Sequence, residues 1–124
     1  NNKSRPKHLN LFKVRLPVAG IASILHRISG ALLFLATPLF IYILTTSLKN
    51  NSGFLQARQF FDSTLVQLIS ILLIWSLVHH FLAGIRYLII DLDYGLSKRS
   101  ANLSALIVIA LGILISIVLI TGAL

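Results

Sequence analysis

One apolar stretch, Trp75-Ser76-Leu77-Val78-His79-His80-Phe81-Leu82-Ala83-Gly84-Ile85-Arg86-Tyr87-Leu88-Ile89-Ile90-Asp91, holds two imidazoles, a guanidinium, a phenol and a carboxylate. It continues the apolar run from Thr64 to Ile74, so the pattern predicts a helix long enough to cross a bilayer. Polar groups in such a helix are expensive and are kept for function. At about 100° per residue, Ser76, His80, Ala83, Gly84, Tyr87 and Asp91 share one face. Gly84, one turn from His80, omits a side chain where a flat group would have to approach. This pattern suits an axial haem ligand: His80 on the iron, with Ser76, Ala83 and Gly84 packing against the porphyrin. The competing reading is an imidazole that hydrogen-bonds a neighbouring helix across an Ala/Gly packing face. His79 points about 100° away, with Trp75, Leu82 and Arg86, and is the weaker candidate. Adjacent positions cannot bind one iron from opposite sides, so a second ligand has to come from elsewhere.

A second polar cluster lies in Leu16-Pro17-Val18-Ala19-Gly20-Ile21-Ala22-Ser23-Ile24-Leu25-His26-Arg27-Ile28-Ser29-Gly30. Pro17 and Gly20 fit a helix start. Ser23 and Arg27 are i,i+4 neighbours and His26 is i+3 from Ser23, which gathers hydroxyl, imidazole and guanidinium at a membrane edge. Such a cluster can bind a polar ligand. An arginine near a helix end can equally well snorkel to the headgroups.

The elements that position these groups follow from composition. Of 124 residues, 56% are apolar, too many for a soluble domain of this size. Three spans are expected, at about 22–48, 64–90 and 103–124, each long enough for about 30 Å of hydrocarbon. The fold class expected is all-α: a three-helix transmembrane bundle (16–124) preceded by a basic arm (1–15), with Asp91-Leu92-Asp93-Tyr94-Gly95 closing the second span and Tyr94-Gly95 as its stop. Asp91 lies five residues beyond Arg86, so each is expected to find a partner elsewhere. Pro38 should kink the first span and free a carbonyl that Thr37 or a partner helix can satisfy. Asn50-Asn51-Ser52-Gly53 reads as a turn, and Phe54 to Phe61 as a short amphipathic segment on the outer surface. The third span reads as structural, with Ser104, Gly112, Ser116 and Gly122 available for close packing.

Eleven basic residues against three acidic ones suggest nucleic acid until their placement is read. Lys3, Arg5, Lys7, Lys13, Arg15, Arg27, Arg86, Lys98 and Arg99 fall on one side of a three-span topology, and only Lys49 and Arg58 on the other. The excess therefore reports topology, with the N-terminus cytoplasmic and the bilayer as partner. No nucleic-acid partner is expected. The absence of cysteine excludes a disulfide, an iron–sulfur cluster and thiolate haem ligation from this chain. The long charged N-terminal region does not fit a secretory signal.

Ser23-Ile24-Leu25-His26-Arg27-Ile28-Ser29-Gly30, preceded by Arg5-Pro6 and Arg15-Leu16-Pro17, resembles a signature of the cytochrome b-type membrane anchor of succinate dehydrogenase, the larger of its two small anchor subunits. A histidine four before Gly-Ile-Arg with an aspartate shortly after resembles that family's second signature, on His80, Gly84-Ile85-Arg86 and Asp91. The resemblance covers essentially the whole chain. It implies an anchoring, electron-transferring subunit with no catalytic activity alone, in a bacterial cytoplasmic (inner) membrane or a mitochondrial inner membrane. It implies as partners a second three-helix anchor sharing haem b, an iron–sulfur subunit and a flavoprotein subunit. Position by position it implies His80 as haem ligand, His26 and Arg27 at haem propionates, Ser23 and Arg27 at ubiquinone, and Arg86 and Asp91 as supporting polar groups. Tyr87 departs from relatives that carry a second histidine there. The alternatives are a haem-b anchor of a fumarate reductase or another quinone-linked oxidoreductase, or a haem-free structural or transport protein.

The charge asymmetry predicts that a reporter fused to the C-terminus is active only outside the cytoplasm, and one at the N-terminus only inside. A C-terminal reporter active in the cytoplasm contradicts the assignment.

Overall fold

The computed structural model describes residues 15–123. It holds four helices: α1 (Val18–Ser47), α2 (Asn51–Phe60), α3 (Thr64–Asp91) and α4 (Lys98–Ala123). The described residues contain no strand. Three helices, α1, α3 and α4, are long and apolar enough to cross a membrane. The basic arm lies outside the described residues, apart from Arg15.

The packing is inside-out relative to a soluble bundle. Large side chains such as Phe34, Leu35, Phe40, Leu65, Phe81 and Leu88 are exposed, while the buried positions are small: Ala22, Ser29, Ser76, Ala83, Ala105 and Ser116. Lipid tails are as apolar as leucine, so nothing drives leucine inward; helices instead associate where small residues let backbones come close. On α3 the buried residues are Ser76, His79, Ala83 and Arg86, a 3-4-3 stripe. On α4, Ala105, Val108, Gly112 and Ser116 form the matching stripe. The two helices run antiparallel, so Gly112 meets His79 and Ser104 meets Arg86.

The helix ends explain where the elements begin and stop. Asn50 caps α2, accepting from the Gly53 amide at 2.8 Å, so the expected turn at 50–53 is the N-cap and first turn of the helix itself. Gly53 is packed so closely on α1 that a Cβ there would overlap the Thr46 carbonyl oxygen. α3 ends through Asp93, whose φ of 64° is left-handed, with Asp93 N–H donating to the Ile90 carbonyl at 2.9 Å and Tyr94 N–H to that of Ile89 at 3.4 Å. This is a Schellman stop one residue before the expected Tyr94-Gly95. Ser97 caps α4 by accepting from the Ser100 amide at 3.1 Å, so the third span starts at Lys98 rather than 103. α1 continues through Pro38, and the Thr37 hydroxyl donates to the Leu33 carbonyl rather than to that of Phe34, which the proline leaves free.

At the opposite end, α1 starts at Val18 rather than 22, and its N-terminus lacks a side-chain cap from Pro17. Asn102 of α4 supplies one instead, its side-chain oxygen accepting from the Ala19 amide at 3.2 Å. The start of α1 is thereby pinned to the start of α4, on the side where Ser23, His26 and Arg27 lie.

Candidate functional site

The two adjacent histidines of α3 face different surroundings. His80 turns toward α1 and is half-buried. Its ring stacks on that of His26, with centroids 4.2 Å apart and planes within 3°. Its Nδ1 lies 3.3 Å from the Ser29 hydroxyl and 3.2 Å from the His26 carbonyl oxygen. Gly30 makes this contact possible: a Cβ there would lie 2.9 Å from His80 Cε1, too close for the ring to keep its place.

These distances decide the tautomer. The His26 carbonyl can only accept. The Ser29 hydroxyl donates to that same carbonyl at 2.8 Å, which leaves its lone pairs facing Nδ1. A bare Nδ1 lone pair would face oxygen lone pairs, so Nδ1 carries the proton and donates. In the neutral ring Nε2 is then the bare nitrogen, and it makes no hydrogen bond to a described residue. An imidazole held in this way presents one directed lone pair to a metal. No group of three or more metal-ligating side chains gathers among the described residues, so the arrangement offers a single ligand rather than a cage.

His26 lies between His80 and Tyr87, whose ring meets it edge-on with centroids 5.1 Å apart. The bare face at Gly84 looks onto His26: a Cβ at Gly84 would come within 3.9 Å of His26 Nε2. Gly84 thus leaves its face of α3 open toward His26. Ser76 and Ala83, expected beside Gly84, are 0% and 1% exposed and belong to the seam inside the bundle. They share the buried 3-4-3 stripe of α3 with His79 and Arg86.

Ser23 is half-buried and Arg27 exposed, one turn apart on α1. Neither shares a side-chain hydrogen bond with a described residue. Arg86 is 6% exposed and acts inside the chain, donating from Nε to the Ser104 hydroxyl at 2.9 Å and from Nη2 to the Ala101 carbonyl at 3.0 Å. Its guanidinium carbon also sits 5.6 Å from the Tyr87 ring centre. It therefore clamps α3 to α4 without a carboxylate. Asp91 is exposed at the end of α3.

His79 is what the sequence left undervalued. It is 0% exposed, stacks on Trp75 at 5.3 Å and packs against Gly112, and both its ring nitrogens are buried without a hydrogen-bond partner. The signal that it turns inward was the small-residue stripe of α4, in which Gly112 leaves room for a ring.

These features define a class: a three-span helical membrane subunit with one prepared histidine at a helix–helix groove. The comparisons narrow it. Residues 1–119 match the family described as succinate dehydrogenase/fumarate reductase transmembrane subunit. The chain belongs to that family. It is 34% identical to the succinate dehydrogenase cytochrome b556 subunit of Coxiella burnetii over 84% of each chain. It is 32% identical to the protein of that name from Paracoccus denitrificans over 94% of this chain and 90% of the relative. The Rickettsia felis protein of that name is 29% identical over 96% and 91%. The resemblance read from the motifs is thus shown, and the chain is a multi-pass membrane anchor of the succinate dehydrogenase cytochrome b kind.

The buried nitrogens of His79 yield a prediction. Burying an unpartnered polar group costs about 1–3 kcal/mol. His79→Leu, of similar volume, is expected to leave thermal stability of the detergent-solubilised protein unchanged or to raise it. A loss beyond about 1 kcal/mol would mean that the imidazole has a partner, the Ala22 backbone of α1 beside it or an internal water.

Proposed function

We propose that this chain supplies one axial ligand, His80, to a haem b shared with a second three-helix anchor, and lines a ubiquinone-reduction site with Ser23 and Arg27. The observation that carries the reading is the geometry at His80: Nδ1 lies against two oxygens of α1 and Nε2 is left without a hydrogen bond to a described residue. The relatives' name, cytochrome b556, supports the cofactor. Haem b, when bound, supplies a one-electron centre whose potential is set by its ligands and burial. His80 orients by its contacts with α1, and the small residues Gly30 and Gly84 keep backbone, rather than side chains, beside the two imidazoles. A second ligand would come from the other anchor subunit, since His80 is one such prepared histidine among the described residues.

His26, stacked on His80 across the α1–α3 groove, and the neighbouring Arg27 would donate to haem propionates. Ser23 and Arg27 lie one turn apart toward the start of α1. There Ser23 donates a hydrogen bond to a quinone oxygen, and Arg27 offsets negative charge as that oxygen is reduced, in a site poor in water. The start of α1, the α3–α4 loop and this site share one end of the bundle. On the charge asymmetry that face is cytoplasmic, and the iron–sulfur and flavoprotein subunits dock there. Succinate oxidised in the soluble subunits then delivers electrons to quinone at the membrane edge, in the tricarboxylic acid cycle and aerobic respiration.

His80→Leu in the assembled complex should abolish the low-spin haem spectrum, while His79→Leu should preserve it. An unchanged spectrum in His80→Leu removes the ligand assignment.

Losing a neutral hydrogen bond costs about 0.5–1.5 kcal/mol and one to a charged group about 1.5–3 kcal/mol. Arg27→Leu should therefore lower quinone reduction more than Ser23→Ala, with dye-linked succinate oxidation intact in both. Normal quinone reduction in an assembled Arg27→Leu complex would reduce Arg27 to a headgroup anchor.

A further inference from the structure

Ser29 is fully buried on α1, although nothing in a membrane helix requires a hydroxyl there. A serine in a helix commonly returns its proton to a carbonyl one turn back, and Ser29 does so, donating to His26 at 2.8 Å. The consequence reaches across the groove. With its proton committed, the Ser29 oxygen can only accept, and the nearest donor is His80 Nδ1 at 3.3 Å. The carbonyl that receives the Ser29 proton is itself 3.2 Å from the same nitrogen. Ser29, the His26 backbone and Nδ1 thus form a closed triangle in which each contact fixes the next. Gly30 completes it by bringing the α1 backbone against the edge of the ring.

We infer that Ser29 is a positioning residue for His80: it fixes the Nδ1–H tautomer and ring orientation, and thereby the electron-donating strength of Nε2 toward the iron. This rests on the reading of His80 as haem ligand. The physics gives its sign. An acceptor at Nδ1–H draws the proton outward and makes the imidazole a stronger donor, which favours the ferric state. Removing one of two acceptors weakens that donation and favours the ferrous state. The remaining acceptor, the His26 carbonyl, belongs to the backbone and survives the substitution.

The test is a redox titration of the haem in the assembled complex, read optically, with the ferric signal read by electron paramagnetic resonance. Ser29→Ala should keep haem content and low-spin character, shift the ferrous-to-ferric ratio at fixed ambient potential roughly threefold to tenfold toward ferrous, and move the resonance position. Tenfold in a one-electron couple is about 59 mV. Ser29→Cys keeps the volume but offers a weak acceptor, so it should shift in the same direction; this separates the hydrogen bond from packing. A potential and resonance unchanged in both variants overturn the role of Ser29, while loss of the low-spin signal in His80→Leu still upholds the ligand. If His80→Leu keeps the low-spin signal, the ligand reading and the inference fall together.

Discussion

The His80 Nδ1 contact with two oxygens of α1 is the interaction on which the rest of the arrangement depends. In hydrocarbon a polar group must find its partner in the protein, because water is absent. An imidazole has two nitrogens to satisfy, and α1 takes care of one of them with a carbonyl already polarised by Ser29. The backbone can come that close only because residue 30 is glycine. The ring plane is set by the parallel stack of His26, itself held edge-on by Tyr87. Each of these features is local to the α1–α3 crossing. Together they turn one histidine out of two neighbours into a directed donor.

The other histidine shows what the bundle does with the same side chain one position away. His79 lies in the seam that joins α3 to α4, where a glycine on the facing helix makes room for it. Arg86 lies on that same seam and has exchanged water for a hydroxyl and a carbonyl of α4. α3 therefore has two duties. Its buried stripe packs on α4 and, at His79, also reaches Ala22 of α1; the neighbouring His80 meets α1 and presents the site. The division explains how a bundle with a small-residue core holds a side chain as bulky as arginine inside the membrane.

Much of this was legible in the residues. Three spans follow from apolar run lengths, and the groove near His80 from Gly84. That Arg86 finds its partners away from Asp91 followed from their spacing of five. The motifs around Ser23–Gly30 and His80–Asp91 carried the family, which the comparisons bear out. What the sequence hid are outcomes of helix–helix rotation. Ser76 and Ala83 lie near His80 on a helical wheel, yet they fall on the buried stripe with His79 and Arg86, and a rotation of a few tens of degrees decides which neighbours are buried. The role of Ser29 was equally invisible, because it depends on a distance between helices and not on a period within one. Asp93 in a left-handed conformation displaced the helix stop by a residue, since aspartate tolerates that region when its neighbours' amides need the carbonyls of the last turn.

The central claim, that His80 meets iron through Nε2 while α1 holds Nδ1, is tested most directly by an experimental structure of the assembled complex at a resolution that places the haem and its ligand rings. The account predicts iron on His80 Nε2, with Nδ1 within hydrogen-bond distance of both the Ser29 hydroxyl and the His26 carbonyl, and His79 still inside the α3–α4 seam. Iron on His79, or on His80 with Nδ1 turned away from α1, would contradict it.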